Sequence, residues 1–425
     1  MGSSLSDVTM LGADSNNGIH QEIMDLSKKR VLIIEDIGEM RIMLKSLMSS
    51  LGYSKIDVEY SGQMAIKRIL EKHYDVILSD FNLGGSVDGQ QILETSRKNY
   101  AQDHSTIFIM ITADTAYESV VSVLEYQPDS YLVKPFPPAA FFRRLEKVQK
   151  QKKIFEGINT ARKLNEHEKM EAQAKAIMAD YPHFANQCLK IIGESLYARG
   201  RYKDAKSHYM LIIQNHKNLA WAHFGIAQCE MKLGAVGAAI DKLEQTVELS
   251  RHFLSAYDLL AEAHEEQGNL EKAQSTIKRA LEVSPRSNER CLRLAELSVK
   301  ITDWETAEHA YSRIIRLTRD TINEKVEYYY EYLKCLTSMM NVVGDSAKLA
   351  DKFKRSLIRL RSFGKANPTA ISNSFRIEIQ QYLAREHTGE AIKAWHQWNR
   401  LIESGQASPL TEAQEHTLKK RLDLL

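Results

Sequence analysis

The feature that most constrains this chain is an interval of 34 residues that recurs in five registers at once. Gly200, Gly234 and Gly268 follow it, and Thr302 continues the series. Ala205, Ala239, Ala273 and Ala307 keep the same step, as do Ile192, Ile226, Leu260 and Leu294. So do the small residues Gly193, Ala227, Ala261 and Ala295, and the large ones Tyr209, Leu243, Ile277 and Tyr311. A period of this size marks a stacked supersecondary unit, because one unit alone cannot bury its apolar face. Small residues let two helices approach closely, glycine makes the turn between them, and large residues fill the gaps. From about 157 to 425 the chain has only Pro182, Pro285, Pro368 and Pro409 and no convincing strand run, so this part reads as all helix.

The pattern resembles the tetratricopeptide repeat, with units at 186–219, 220–253, 254–287 and 288–321. The third is clearest, running from Tyr257 through Leu260, Ala261, Gly268, Ala273, Ile277 and Ala280 to Pro285; Lys217, Arg251 and Arg319 replace that proline elsewhere. Residues 158–182 read as an incomplete helical pair, and 322–362, 369–402 and 410–424 as helices of degraded register that cap the array. The resemblance implies an all-α solenoid over 166–425 whose concave face is lined by first helices. There it places Tyr197, Phe224, Gln228, Asp258, Glu262 and Glu265, an aromatic and acidic lining suited to a peptide with some positive charge. Tyr328, Tyr329, Tyr330 and Tyr332 crowd one helix and are read as packing.

The first 150 residues follow another rule. RVLIIE (30–35), DVILSD (75–80), TIFIMIT (106–112) and SYLVK (130–134) are short β-branched-rich runs, with a weaker fifth at KIDVEY (55–60). Helical spacing fills 38–51, 62–72, 88–99 and 115–126, and 138–150 closes the unit. The alternation predicts a doubly wound α/β domain with a five-stranded parallel sheet over 28–150, joined to the helices by a linker at 151–165. In such sheets the site lies beyond the carboxyl ends of the strands. Glu35, Asp36, Asp80, Thr112 and Lys134 stand there. Carboxylates of this kind form a hard oxygen cage suited to Mg²⁺, and an aspartate can attack a phosphoryl group to form an acyl phosphate. Lys134 supplies positive charge and Thr112 a hydroxyl donor.

These residues resemble the receiver domain of two-component response regulators over 29–150. The resemblance rests on Glu35-Asp36, Asp80, Thr112-Ala113, Lys134-Pro135-Phe136 and Tyr131 three residues before the lysine. It implies that Asp80 is phosphorylated by a sensor histidine kinase or phosphotransfer protein. Glu35, Asp36, Asp80 and the backbone carbonyl of Asn82 would hold Mg²⁺. Thr112, Ala113 and Lys134 would contact the phosphoryl group, with Thr112 and Tyr131 as the switch pair. Two departures affect loop geometry. The loop after Asp80 reads FNLGGSVDG, with Gly84 where proline is usual and one extra residue before Asp88, and another residue is inserted before Thr112.

Charge excludes some output classes. The 57 basic and 55 acidic residues divide as 16 and 20 within 1–150, leaving 41 and 35 for the rest, a diffuse excess. No nucleic-acid or membrane partner is expected from this balance, nor from runs too short to span a bilayer. A DNA-binding transcriptional regulator with an unrecognised C-terminal element is the alternative, and the 34-residue registers occupy the space it would need. No G-x-S-x-G, G-x-x-x-x-G-K or H-E-x-x-H pattern supports a catalytic output. The fourteen histidines and four cysteines show no zinc spacing, and the cysteines fit a reduced, cytoplasmic setting. Lys147, Lys150, Lys152 and Lys153 read as a solvated face, and residues 1–27 as a disordered leader despite a short Met1-Gly2…Ser6 acylation pattern. The expectation is a response regulator whose output is binding of a protein partner, with homodimerisation open to the receiver and to the repeats.

Overall fold

The structure, a computed structural model, describes residues 26–85, 87–98, 105–113, 128–285, 287–319, 323–344 and 346–424. The expected leader and the expected helix at 115–126 lie outside the described residues, apart from Leu26 and Ser27. The chain divides into two compact units, Met1–Ala263 and His264–Leu425.

The first unit opens on a five-stranded parallel sheet of order β2-β1-β3-β4-β5. Its strands are β1 (Arg30–Ile34), β2 (Lys55–Glu59), β3 (Val76–Asp80), β4 (Ile107–Thr112) and β5 (Ser130–Val133), each within a residue of the expected end. Successive side chains of a strand point to opposite faces, so an uninterrupted apolar run feeds two cores. Val31, Ile33, Leu78, Ile109 and Ile111 pack on one face with Leu44, Met48, Phe141 and Leu145. Leu32, Ile34, Ile77, Phe108 and Met110 pack on the other with Ala65, Ile69, Ile92 and Leu93. The fainter pattern at 55–60 has its reason here: β2 is an edge strand and three of its five residues are only half-buried. Helices α1 (Gly38–Ser50), α2 (Gly62–Glu71) and α3 (Gly89–Lys98) cover the sheet. Asp88 fixes the start of α3, since its Oδ1 accepts from the Gln91 amide while Gln91 Oε1 accepts from the Asp88 amide.

Helix α4 (Pro138–Ile154) runs past the end expected for it, and α5 (Glu156–Lys163) follows after Phe155 alone. The stretch read as a linker is therefore helical. Then come α6 (His167–Asp180), a short 3₁₀ turn, α7 (Ala185–Ala198), α8 (Tyr202–Asn215), α9 (Ala220–Lys232) and α10 (Val236–Leu249). α11 (Leu254–Glu266) carries the boundary between the units. Phe155 and Ile158 join the first repeat core beside Cys188, Ile191 and Tyr209. The Tyr209 ring lies between Gly193 and Gly225, and a Cβ at either glycine would collide with it.

The second unit holds α12 (Leu270–Val283), α13 (Asn288–Lys300), α14 (Trp304–Thr318), α15 (Val326–Val343), α16 (Ala347–Phe363), α17 (Pro368–Ala384), α18 (Thr388–Glu403) and α19 (Glu412–Arg421). The alanines of the 34-residue register are fully buried in both units. The turn register has a clear physical basis: Gly200, Gly234 and Gly268 adopt φ of 73°, 77° and 76°, and Thr302 follows at 59°. Asn165 and Glu386 adopt the same left-handed conformation at two turns where no glycine announces it. Tyr329 and Tyr332 are buried and donate to Glu324 and Glu308, so these two pack as expected, while Tyr328 and Tyr330 are half-buried. No helix among the described residues is long and apolar enough to cross a membrane.

Candidate functional site

The carboxyl edge of the sheet gathers the expected side chains. β1 delivers Glu35 and Asp36 just beyond its last residue, β3 ends on Asp80, β4 ends on Thr112, and Lys134 follows β5. Oxygens of Glu35, Asp36 and Asp80 lie within 4.8 Å of one another, the one cluster of three potential metal-ligating side chains among the described residues. Lys134 Nζ is 2.8 Å from Glu35 Oε2 and 3.0 Å from Asp80 Oδ2. Glu35 is fully buried, and burial raises its carboxyl above the ordinary range despite the hydrogen bond from Lys134. Burial pulls the Lys134 ammonium down, but Glu35 and Asp80 outweigh it and hold the group above its ordinary value. Asp36 is exposed, so one side of the cluster opens to water.

The surrounding loops fix these groups from the backbone. Arg41 Nη1 donates to the carbonyls of Glu35 at 2.8 Å and Asp36 at 2.7 Å, a brace from α1 that sequence reasoning missed. Gly89 places the start of α3 against the Asp80 carbonyl, where a Cβ would collide. Gly84 adopts φ 64°, which proline cannot reach, so the loop after Asp80 turns differently from a loop with the usual proline. Asn82 and Ala113 are exposed beside the strand ends, and Thr112 is buried. The half-buried Tyr131 ring stands 5.6 Å from the Arg144 guanidinium carbon.

Three hard carboxylates with an open side fit a divalent cation that prefers oxygen ligands and retains water. The adjacent ammonium suits an anion bound between it and the cation.

Within the first unit a cavity of about 1020 Å³ is lined by residues from the end of α4, from α5 and from the repeats. Tyr197, Phe224 and Gln228 line it, as do Trp221 and Phe253, which sequence reasoning did not single out. Asp258 and Glu262 are exposed but do not line it. Glu265, in the second unit, is engaged by Arg293 and by Lys300 at 3.1 Å. Lys152 departs from the expected solvated face: its side chain is 17% exposed and pairs with Asp129 at 2.7 Å. Lys147, Lys150 and Lys153 remain exposed.

Known proteins match in the same two parts. Residues 31–146 match the response regulator receiver domain family, and residues 254–297 match the tetratricopeptide repeat family. The response regulator ArlR of Staphylococcus haemolyticus is 34% identical over 129 residues, which is 30% of this chain and 56% of that protein. This chain thus spans little more than half of that relative. The chemotaxis protein CheY-3 of Vibrio cholerae is 27% identical over 119 residues, 28% of this chain and 90% of that protein. Among solved structures, the C-terminal part of a repeat-containing protein from Cytophaga hutchinsonii aligns over 64% of this chain and 99% of its own, at 14% identity and TM-score 0.44. Residues 31–146 of this chain are a response regulator receiver domain, followed by a helical array that includes a tetratricopeptide repeat.

Proposed function

We propose that residues 28–150 take a phosphoryl group on Asp80 with Mg²⁺ present, and that the helical repeats of 166–425 bind a protein partner in response. The observation that carries this reading is the cluster of Glu35, Asp36 and Asp80 within 4.8 Å, with the Lys134 ammonium 3.0 Å from Asp80.

An Asp80 carboxylate oxygen attacks phosphorus, forming an acyl phosphate while the bond to the donor breaks and its leaving group takes the electron pair. The donor is the phosphohistidine of a sensor kinase or phosphotransfer protein. Glu35, Asp36, Asp80 and the Asn82 carbonyl would hold Mg²⁺, which when bound neutralises charge on the phosphoryl oxygens. Lys134 contributes the side-chain cation, already set between the two carboxylates it pairs with. Thr112 donates its hydroxyl to a phosphoryl oxygen, Ala113 offers its backbone amide, and Tyr131 follows Thr112.

The output is non-catalytic and cytoplasmic on this reading. The cavity beside α4 supports a partner of particular chemistry. Arg97, Lys152, Arg162 and Lys190 line it against Asp129 and Glu194, around an aromatic floor. That balance favours a segment with apolar side chains and neutral or negative charge, opposite in sign to what Asp258 and Glu262 suggest.

Beryllofluoride, a phosphoryl analogue, tests the acceptor. It should bind only with Mg²⁺ and be lost in Asp80→Ala. Equally tight binding after chelation would contradict the cage assignment.

A further inference from the structure

We propose that β5 acts as a rod between the acceptor and the wall of the cavity, with Asp129 and Lys152 as positioning residues at its far end. This rests on the reading of Asp80 as acceptor and concerns how that site is read out.

Both ends of one short strand are held by ion pairs. Lys134 directly follows β5 and bonds Glu35 and Asp80. Asp129 directly precedes it and accepts from Lys152 Nζ at 2.7 Å, Arg97 Nη2 at 2.8 Å and the Phe108 amide at 2.8 Å. The distal node is withdrawn from water, with side-chain exposures of 9% for Arg97 and 19% for Asp129. Burial alone would raise the Asp129 carboxyl, but Arg97 and Lys152 outweigh it and keep the group ionised. At about 3.3 Å per residue the strand carries a displacement over roughly 17 Å. β5 is last in the strand order and pairs with β4, so it has one ladder to shift against where β1, β3 and β4 have two.

What lies beyond the distal node is the cavity wall. Lys152 sits in the last turn of α4, next to Gln151, whose Nε2 donates to Gln187 of the repeats at 3.3 Å. Three residues on, Phe155 meets the Phe184 ring edge-on and belongs to the first repeat core. Gln151, Lys152 and Phe155 all line the cavity. A phosphoryl group on Asp80 gives Lys134 a new anionic partner and loosens its hold on Glu35. The strand moves with Lys134, Asp129 moves with the strand, and α4 follows through Lys152. A packed core answers such a shift by changing arrangement, because close packing resists continuous deformation.

The test is hydrogen exchange on the full chain, with and without Mg²⁺ and beryllofluoride, comparing wild type, Lys152→Met and Lys152→Arg. In wild type the analogue should change exchange at both 130–134 and 150–165. Lys152→Met should keep the first response and lose the second, and Lys152→Arg should restore it. A residue with a merely structural role would shift both states equally and leave the analogue-dependent difference intact. A full response at 150–165 in Lys152→Met would overturn the proposal. So would a wild-type response confined to 130–134. If wild type shows no response even at 130–134, the acceptor reading fails and the rod with it. Should Lys152→Met fail to fold, the double variant Asp129→Asn/Lys152→Met removes both charges of that pair and is judged by the same outcomes.

Discussion

The carboxylate edge of the sheet and the repeat array are held by different kinds of constraint. At the edge, the proposed chemistry requires particular atoms: on that reading Asp80 acts as a carboxylate, with the Lys134 ammonium 3.0 Å from it. In the array, the requirement is volume: Ala205, Ala239, Ala273 and Ala307 are fully buried, as small residues are where helices approach closely. The difference teaches where each kind of damage will show. A change at the edge should remove function and spare stability, and a change at a helix junction should do the reverse.

The largest effect expected is at Asp80. Asp80→Asn should abolish phosphoryl capture, while thermal stability stays level or rises because one of three clustered carboxylates is neutralised. Unfolding of this variant would break the comparison. Next comes overpacking: Ala273→Leu should cost roughly 1–3 kcal/mol, read as a lower melting temperature with beryllofluoride binding intact. Half-buried Lys242, which bonds Gln245 at 3.0 Å on the helix surface, is the control, and Lys242→Ala should stay within about 0.5 kcal/mol. A smaller effect of opposite sign is expected at Thr302, whose φ of 59° is strained for a β-branched residue. Thr302→Gly should stabilise by about 1 kcal/mol in chemical denaturation, the reverse of the usual glycine penalty. The smallest concerns pH. Because its folded carboxyl lies below the ordinary value, Asp129 contributes stability that is present above its unfolded pKa of about 3.9 and is lost as pH falls through the folded value. Asp129→Asn should therefore flatten the acid limb of the stability profile.

What was legible in the sequence follows the same division. The strands and Glu35, Asp36, Asp80, Thr112 and Lys134 could be read because apolar runs end on groups with distinctive chemistry. The turn register could be read while glycine filled it, and was lost at Asn165 and Glu386, where packing imposes the same backbone on residues that do not advertise it. Ion pairs between distant segments left no local trace. Arg359 grips Glu324 with two bonds of 2.8 Å across 35 residues, and Lys352 reaches Glu308 across 44. Lys152 was hidden in a run whose other lysines are exposed, because only the pairing of α4 with the foot of β5 turns it inward.

The proposed role of Asp80 is tested most directly by where a phosphoryl group lands. Incubation of the full chain with a small-molecule phosphodonor and Mg²⁺, followed by borohydride trapping of the acyl phosphate and peptide mass mapping, reads that position. The predicted result is one modification, on Asp80, absent after chelation and absent in Asp80→Ala. Modification at another residue, or at Asp80 regardless of the metal, would contradict it.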